Sequence, residues 1–310
     1  MSVTVVVPVF NSQETLRPLV QEIRKLSSLG SLELILVNDG SRDGSWEVVC
    51  QLSAQHPWIR GINLMRNFGQ HNALLCGIRA ARHDIVVTID DDLQNPPEEI
   101  PRLIAKLEEG YDVVYGTPRQ ESHGLLRNVA SRITKMVLQG AMGAETARQV
   151  SAFRAFRTRL RDAFDRYEGP YVSIDVLLTW GTNRFTAIPV ENRPRLVGTS
   201  NYTVGKLIVH AMNMVTGFST LPLQVASMVG FAVTLFGIGL LLYVLLRYIA
   251  QGTSVPGFPF LASVVCVFSG AQLFALGILG EYIARIHLRS MEKPSYAIRE
   301  STEQTCSIRR

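Results

Sequence analysis

The chain has 310 residues, with 31 Lys and Arg against 26 Asp and Glu, and therefore a formal net charge of +5. Hydrophobic residues make up 47% of it and charged residues 18%, whereas a soluble domain carries about 25% charged residues. This balance excludes an intrinsically disordered chain and argues against a wholly soluble protein. The small positive charge also argues against a dedicated nucleic-acid binder.

Short apolar runs alternate with helical patterns through the first part of the chain. The predicted strands are Val3–Val7, Leu32–Val37, Ile59–Leu64, Ile85–Ile89 and Val113–Tyr115. The predicted helices are Glu14–Leu26, Ser45–Ala54, Asn72–Ala81 and Pro97–Glu109. Strands that alternate with helices are joined by crossovers, so the sequence predicts an α/β domain with a mostly parallel sheet.

Polar clusters follow the first four predicted strands. In chain order they are Pro8 with Phe10 and Asn11, Asn38–Ser41, Arg66 with Asn67 and Gln70, and Asp90–Asp92 with Gln94. All four lie at carboxyl ends of strands, which in an open α/β sheet line one ligand-binding crevice. The chain contains neither a GxGxxG nor a GxxxxGK[ST] motif, so neither a dinucleotide-binding fold nor a P-loop is indicated.

The run Asp90–Asp92 carries the clearest chemical signal. Adjacent carboxylates repel one another, which is costly unless a cation lies among them. On an extended segment Asp90, Asp92 and Gln94 point to the same side. Their oxygens suit Mg²⁺ or Mn²⁺, which keep waters and substrate phosphates as further ligands. The alternative is a solvated acidic turn. Asp39 is either part of a turn and helix cap or an acceptor for a nucleobase or ribose.

The C-terminal part of the chain is nearly free of charge. Within residues 207–284 the charged side chains are Arg247 and Glu281. Two apolar stretches, Leu221–Ile249 and Phe258–Ile283, each exceed the about 20 residues that cross a bilayer core. Two membrane-spanning helices are therefore predicted, with a pair of buried helices in a soluble core as the alternative.

The charges around these stretches predict their orientation. The linker Ala250–Gly257 is uncharged, so the two spans form a hairpin with both ends on one side. Basic residues flank it, with Lys206 before the first span and Arg285, Arg289 and Lys293 after the second. The positive-inside rule places these residues and the N-terminal domain in the cytoplasm.

Five segments together resemble the family 2 glycosyltransferases that load a polyisoprenyl phosphate with a sugar. They are PVFN (Pro8–Asn11), VNDGS (Val37–Ser41), RNFGQHNAL (Arg66–Leu74), IDDDLQNPPEEIP (Ile89–Pro101) and LGEYIARI (Leu279–Ile286). Within that group the chain is most similar to bacterial undecaprenyl-phosphate sugar transferases of the formamido-arabinose or glucosyl type. The resemblance implies a GT-A-like nucleotide-diphospho-sugar transferase domain, followed by the two-helix transmembrane hairpin.

The resemblance also implies roles for individual residues. The donor nucleotide would be held by Pro8, Phe10, Asn11, Asp39 and Asp91. The metal, Mg²⁺ or Mn²⁺, would be held by Asp90, Asp92 and Gln94. The acceptor phosphate would be held by Arg154, Arg195 and Ser200, and the catalytic residues would be Asp92 and Arg195. Ala152 stands where some members of the family have Asp, so no general base is assigned. His71 is either a structural histidine or a contact to the donor sugar or diphosphate.

The implied reaction is inverting transfer from a UDP-sugar to undecaprenyl phosphate, for cell-envelope glycan or lipid A (lipopolysaccharide) modification. The predicted segments are a cytoplasmic glycosyltransferase domain (1–203), an interfacial juxtamembrane segment (204–220), two transmembrane helices (221–284) and a cytoplasmic tail (285–310). The expected partners are the donor, the lipid acceptor and the bilayer, without nucleic acid. The family suggests a homotetramer at the bacterial inner membrane.

Three other functions remain open from the sequence. One is transfer from a GDP-sugar, as in dolichol-phosphate mannose synthases. Another is a polymerising synthase, although two spans make a poor pore and the expected Gln-x-x-Arg-Trp signature is absent. The third is a non-catalytic scaffold or lipid-carrier translocator that has kept the sugar-binding fold, against which the intact Asp90 and Asp92 argue.

Overall fold

A computed structural model of the chain describes residues 2–118, 149–169, 172–193, 221–251 and 257–303. These residues form two compact units. The first contains the described residues up to 193 together with 292–303, and the second contains those from 221 to 291. The segment 285–310, predicted as one tail, is therefore divided, because its first residues continue a helix of the second unit and residues 292–303 belong to the first.

The described part of the first unit contains one sheet of eight strands. They are β1 (Ser2–Val9), β2 (Ser31–Asn38), β3 (Ile59–Leu64), β4 (Ile85–Thr88), β5 (Val113–Pro118), β6 (Arg154–Arg157), β7 (Phe185–Val190) and β8 (Ile298–Ser301). Their order across the sheet is β7-β5-β6-β4-β1-β2-β3-β8. β6 runs antiparallel between β4 and β5, and β8 runs antiparallel along β3, while the remaining neighbours are parallel. The predicted α/β domain with a mostly parallel sheet is confirmed.

Among the described residues of the first unit, helices connect or follow these strands. They are α1 (Leu16–Arg24), α2 (Ser45–Gln55), α3 (Gln70–Ala80), α4 (Ile100–Glu108) and α5 (Ile174–Thr179). Three 3₁₀ turns accompany them at Lys25–Leu29, Pro97–Glu99 and Thr158–Ala163. The five predicted strands and four predicted helices are confirmed, with bounds that agree to within three residues. Pro97–Glu109 begins as a 3₁₀ turn, in which the Pro97 carbonyl accepts from the N–H of Ile100, because Pro101 has no N–H to donate to it.

Helices pack on the sheet through regularly spaced apolar residues. In α1 the buried positions are Leu16, Leu19, Val20 and Ile23, which form one stripe of a helix with 3.6 residues per turn. They join one core cluster with the inward side chains of β1 and β2 and with the buried face of α4. β1 is buried along nearly its whole length, as expected of a central parallel strand. This core holds the carboxyl ends of β1–β4 at fixed spacing.

The second unit contains two long apolar helices, α6 (Leu221–Gln251) and α7 (Phe258–Ser290). Leu223–Arg247 has a mean hydropathy of 2.5 over 25 residues, and Val267–Ala284 has 1.4 over 18 residues. Both stretches are long and apolar enough to cross a membrane, and neither is buried inside the structure. Since a soluble core helix would be mostly buried, this exposure disfavours the alternative of two core helices.

Candidate functional site

The loops that follow β1, β2, β3 and β4 are neighbours, because these strands lie side by side in the order β4-β1-β2-β3. Residues 10–12, 39–45, 66–70 and 90–94 make up these loops together with the first residues of α2 and α3. We call them the four-loop site. Hydrogen bonds that involve side chains join each loop to the next, which confirms that the polar clusters converge at one edge of the sheet.

Asn11 joins the first loop to the second. It has a positive φ of 54°, a left-handed conformation that Asn tolerates better than most residues. Its backbone N–H donates to Ser41 Oγ at 3.0 Å, and its Oδ1 accepts from the N–H of Arg42 at 2.8 Å. The next residue, Ser12, donates its N–H to Ser45 Oγ at 2.8 Å. The end of β1 is therefore fixed against the start of α2.

Asp39 joins the second loop to the third. Its Oδ1 accepts from the N–H of Phe68 at 2.7 Å, and its Oδ2 accepts from the N–H of Gly69 at 2.9 Å. The residue is only 3% exposed. Asp39 thus braces the loop before α3, and its predicted contact to the nucleotide remains a prediction beside this structural role.

The acidic loop after β4 is bonded to both the third and the first loop. Gln70, the first residue of α3, donates from Nε2 to Asp90 Oδ1 at 2.6 Å. On the other side Asp91 accepts from the Ser12 hydroxyl and, at 3.4 Å, from the N–H of Phe10. The four loops are therefore linked in a closed cycle, in which Asp90 faces the third loop and Asp91 faces the first.

Burial sets the electrostatics of this cycle. Desolvation raises the pKa of Asp39 and of Asp91 above the ordinary value for Asp, although hydrogen bonds from Phe68 and Gly69 and from Ser12 and Phe10 act in the opposite direction. The negative charge of Asp92 also raises the pKa of Asp91. The charged forms of Asp39 and Asp91 are thus disfavoured at this edge, and a cation bound nearby would offset this cost.

The local shape of the acidic loop differs from the prediction. The segment is not extended, because the chain turns at Asp91 and Asp92 and Leu93 has a φ of 60°. Asp92 is 9% exposed and its Oδ1 accepts from the N–H of Gln94 at 3.1 Å. The prediction that an extended segment places Asp90, Asp92 and Gln94 on one side is therefore wrong. Their roles as metal ligands remain predictions.

The donor set still fits a hard divalent cation. In the part of the chain that the structure describes, no three His, Cys, Asp or Glu side chains gather closely enough to hold a metal alone. Asp90 and Asp92 nevertheless offer carboxylate oxygens in neighbouring positions of one turn. Mg²⁺ and Mn²⁺ commonly take one or two carboxylates and complete their shell with water and substrate phosphates. The residues present suit such an ion and not a closed structural site.

Comparison with known proteins identifies the fold and the family. Residues 4–167 match the family described as glycosyl transferase family 2. The chain belongs to glycosyltransferase family 2. The undecaprenyl-phosphate 4-deoxy-4-formamido-L-arabinose transferases of Salmonella paratyphi B and Salmonella newport are each 37% identical to it over 304 residues, which cover 96% of this chain and 93% of each relative. The resemblance inferred from the motifs is confirmed.

A solved structure supports the fold alone. The glucosyl-3-phosphoglycerate synthase of Mycobacterium tuberculosis, solved in complex with phosphoglyceric acid, superposes with a TM-score of 0.52 at 22% identity. The match covers 69% of this chain and 78% of that one. The protein is thus a family 2 glycosyltransferase with a GT-A-like domain and two apolar helices that could cross a membrane, and it is homologous to undecaprenyl-phosphate sugar transferases.

The nucleotide residues predicted for this glycosyltransferase lie in or beside the four-loop site. Pro8 is buried within β1, where it pairs with Val37 of β2. Phe10 is 40% exposed, and this is unusual for so large an apolar side chain. An exposed ring at a ligand-binding edge offers a stacking surface to a planar base. The structure therefore brings Phe10, Asn11, Asp39 and Asp91 together, and their contacts to a nucleotide remain predictions.

The predicted acceptor residues are not brought together in the described structure. Arg195 and Ser200 lie outside the described residues. Arg154, on β6, is 1% exposed and forms an ion pair with Asp175 of α5. Tyr115 donates its hydroxyl to the same Asp175 carboxylate at 3.1 Å. The sequence suggested that Arg154 is an accessible phosphate ligand, but its guanidinium is enclosed in this conformation. Its contact to phosphate therefore stays a prediction, which this conformation does not favour.

Two further side chains have contacts that sequence reasoning did not assign. His71 Nδ1 accepts from the N–H of Ile174 at 3.4 Å, which favours the structural interpretation of this histidine at the start of α3. Ser12 donates its hydroxyl to Asp91. The only sequence signal for Ser12 is its place one residue after the PVFN segment. Its partner could not be identified from the sequence because it lies 79 positions away.

Proposed function

We propose that this enzyme transfers a sugar from a UDP-sugar to undecaprenyl phosphate at the cytoplasmic face of a bacterial inner membrane. The carrying observation is the four-loop site, which gathers Asp39 and Asp90–Asp92 at one edge of a GT-A-like domain. The same chain contains two apolar helices of membrane-spanning length. The relatives named as undecaprenyl-phosphate 4-deoxy-4-formamido-L-arabinose transferases support the acceptor, and suggest a formamido-pentose as the first sugar to test.

On the donor side, each residue group has a distinct task. Phe10, Asn11, Asp39 and Asp91 hold the nucleotide, with the exposed Phe10 ring against the base. Asp90, Asp92 and Gln94 hold Mg²⁺ or Mn²⁺, which would neutralise the charge that develops on the leaving diphosphate. The hydrogen bond from Gln70 orients the Asp90 carboxylate, and the N–H of Gln94 orients that of Asp92. The chain thereby positions the carboxylates before a donor arrives.

On the acceptor side, no strong general base is required. A phosphate monoester has a second pKa of about 6, so the acceptor is mostly dianionic at neutral pH. Its oxygen can attack the anomeric carbon directly as UDP leaves, and a single displacement inverts that centre. This agrees with Ala152 at the position where some members of the family have Asp. Arg195 and Ser200 are the proposed phosphate contacts, because Arg binds phosphate with two donors in a fixed geometry.

The membrane arrangement follows from the same proposal. The helices cross the bilayer as a hairpin, and the basic residues after it, Arg285, Arg289 and Lys293, stay in the cytoplasm. Residues 204–220 would lie at the interface and present the lipid phosphate to the enzyme. A homotetramer and a role in cell-envelope or lipopolysaccharide modification belong to this proposal through the family resemblance.

The test is sugar transfer by the purified full-length enzyme in detergent. UDP release is followed with undecaprenyl phosphate, Mg²⁺ or Mn²⁺, and a panel of UDP-sugars that includes UDP-4-deoxy-4-formamido-L-arabinose. Asp92→Asn keeps the shape of the side chain and removes its charge, and we expect it to lower lipid-dependent release by about a hundredfold. Asp165→Asn is the matched control, because Asp165 is an exposed carboxylate outside the four loops.

Three outcomes would contradict the proposal. Equal activity of Asp92→Asn and wild type would refute the metal assignment. Release that does not depend on the lipid would refute the acceptor. Transfer from GDP-mannose and from no UDP-sugar would identify a donor of the dolichol-phosphate-mannose-synthase type.

A further inference from the structure

The chain that follows the second apolar helix returns to the sheet as β8. We propose that Glu300 of β8 is a positioning residue for the donor site, acting through a ladder of side chains that ends beside Asp39. The inference rests on the proposed function for its substrate, a nucleoside diphosphate sugar. It adds a residue about 200 positions away from the sequence motifs that form the site.

β8 is held firmly along the edge of the sheet. It pairs antiparallel with β3, and the pairing begins where the N–H of Met65 donates to the carbonyl of Ala297 at 2.9 Å. Arg299 donates to the carbonyl of Met65 at 3.1 Å. At the other end the N–H of Gly61 donates to Thr302 Oγ1 at 3.0 Å. With both ends fixed, the Glu300 side chain has a defined position over the sheet.

Three side chains form a ladder across β2, β3 and β8. Asn38 is the strand partner of Asn63, and Asn63 is the strand partner of Glu300. Asn38 Nδ2 donates to Asn63 Oδ1 at 2.8 Å, and Asn63 Nδ2 donates to Glu300 Oε1 at 3.0 Å. Asn38 is 2% exposed and Asn63 is 6% exposed. Cross-strand neighbours in register interact along one face of a sheet, so the ladder is built into the strand pairing.

The carboxylate at the end of this ladder fixes its direction. An ionised Glu only accepts hydrogen bonds, whereas each Asn amide has one accepting and one donating end. Glu300 therefore requires Asn63 to point its NH₂ group toward the Glu300 carboxylate and its oxygen toward Asn38. Asn38 must then donate, and its Oδ1 is left buried without a hydrogen-bond partner among the described residues. Leaving such an acceptor unpaired is costly, so the observed orientation depends on Glu300.

The ladder ends at the residue that precedes Asp39. The N–H of Asp39 donates to the carbonyl of Val9 at 2.8 Å, and its carboxylate braces Phe68 and Gly69. A reorientation of the Asn38 amide would release the end of β2 and change the position of this carboxylate. Loss of Glu300 should therefore weaken donor binding and leave the maximal rate nearly unchanged, because the acceptor side has no part in the ladder.

The variants exploit the chemistry of the ladder. Glu300→Met keeps the length of the side chain and removes the acceptor, whereas Glu300→Gln keeps an acceptor oxygen. Asn63→Asp places a carboxylate against the Glu300 carboxylate. In the double variant Asn63→Asp with Glu300→Gln, the new amide at position 300 donates to the new carboxylate at position 63. That carboxylate still accepts from Asn38. Arg299→Ala is the matched control, since it removes one hydrogen bond of β8 outside the ladder.

The measurements use the full-length chain in detergent. We expect Glu300→Met and Asn63→Asp each to raise the Kd for UDP with Mn²⁺, and the KM for the donor, by about fivefold, which is the effect of about one net hydrogen bond. Glu300→Gln, the double variant and Arg299→Ala should stay within about twofold of wild type. Hydrogen exchange without nucleotide should become faster in a peptide containing Phe68 and Gly69 only in the first two variants.

Several results would overturn the inference. If Glu300→Met does not differ from Arg299→Ala, β8 acts by docking alone. The same conclusion follows if Glu300→Gln binds UDP as weakly as Glu300→Met. The inference also fails if the double variant binds UDP as weakly as Asn63→Asp alone. A wild type that binds UDP without transferring sugar would refute the proposed function and not the ladder. If the wild type binds no UDP, the proposed function fails, and the exchange experiment alone decides the ladder.

Discussion

Gly40 is the position at which one added methyl group should do most harm to the four-loop site. It follows Asp39 and has a φ of +66°, in the left-handed region. A Cβ there would lie 2.5 Å from the backbone N of Asn67 and 2.6 Å from the backbone C of Arg66, whereas real Cβ contacts are essentially never under 3.0 Å. Since both atoms are backbone, the loop after β3 must move by roughly half an ångström. Asp39 would then lose its alignment with Phe68 and Gly69.

The magnitude of the effect has two parts. The left-handed conformation costs a residue with a Cβ about 1–2 kcal/mol. Forcing a methyl group into a packed site costs about 1–3 kcal/mol more. Gly110→Ala is the comparison, because Gly110 also has a positive φ, +105°, and no heavy atom lies within 4 Å of its added Cβ. Gly110→Ala should therefore show the conformational part alone.

Thermal unfolding of the two full-length variants in detergent, followed by tryptophan fluorescence, tests this reasoning. A difference of about 1–3 kcal/mol corresponds to about 2–12 °C for a domain of this size, so we expect Gly40→Ala to unfold several degrees below Gly110→Ala. Gly40→Ala should also lose affinity for UDP, while Gly110→Ala keeps it. Equal unfolding midpoints, or full nucleotide affinity in Gly40→Ala, would refute the proposed close contact between the second and third loops.

Two further predictions concern buried charges. Arg154→Met leaves the Asp175 carboxylate buried without its ion pair and should lower the free energy of unfolding by about 3–5 kcal/mol. The double variant Arg154→Met with Asp175→Asn should recover most of the lost stability. A fully stable single variant would show that the pair contributes little. Burial raises the pKa of Asp91, so the folded state favours the protonated carboxyl. The stability that this protonation contributes is complete below the ordinary Asp pKa of about 4, and it is lost as the pH rises through the raised pKa. Asp91→Asn should therefore unfold at a higher temperature than wild type at pH 7 and at a similar temperature near pH 4; a variant less stable at both values would contradict this.

The five strands that the sequence predicts, β1 to β5, contain β-branched or apolar runs, and such a run indicates a buried strand without knowledge of the rest of the fold. β7 reads Phe-Thr-Ala-Ile-Pro-Val and is a strand of this kind that the sequence prediction does not include. β6 reads Arg-Ala-Phe-Arg and β8 reads Ile-Arg-Glu-Ser, and neither has an apolar run. They become strands because an existing sheet offers unpaired edges or a gap between β4 and β5. That information lies in the fold and not in either segment.

The candidate site divides in the same way. Its location follows from simple topology, since the carboxyl ends of neighbouring parallel strands must meet. Its internal bonds do not, because each depends on a turn that the sequence does not specify. Leu93 takes a positive φ, which is unusual for a bulky residue, and this turns the acidic loop away from the extended form expected of it. The hydrogen bonds of Asp91 with Ser12 and of Asp90 with Gln70 are both made from this loop.

Arg154 illustrates how a residue type can suggest one partner while the fold supplies another. A guanidinium suits phosphate and carboxylate equally well, and the sequence does not bring Asp175, 21 positions later, to its side. The fold encloses both, and it also brings the carbonyl of Ala152 to Arg154 Nε at 3.4 Å and to the hydroxyl of Thr88 at 2.7 Å. Thr88 lies two residues before Asp90 on β4. Arg154 therefore helps to hold the Ser151–Phe153 segment against the strand that leads into the acidic loop, and its contact to phosphate remains a prediction.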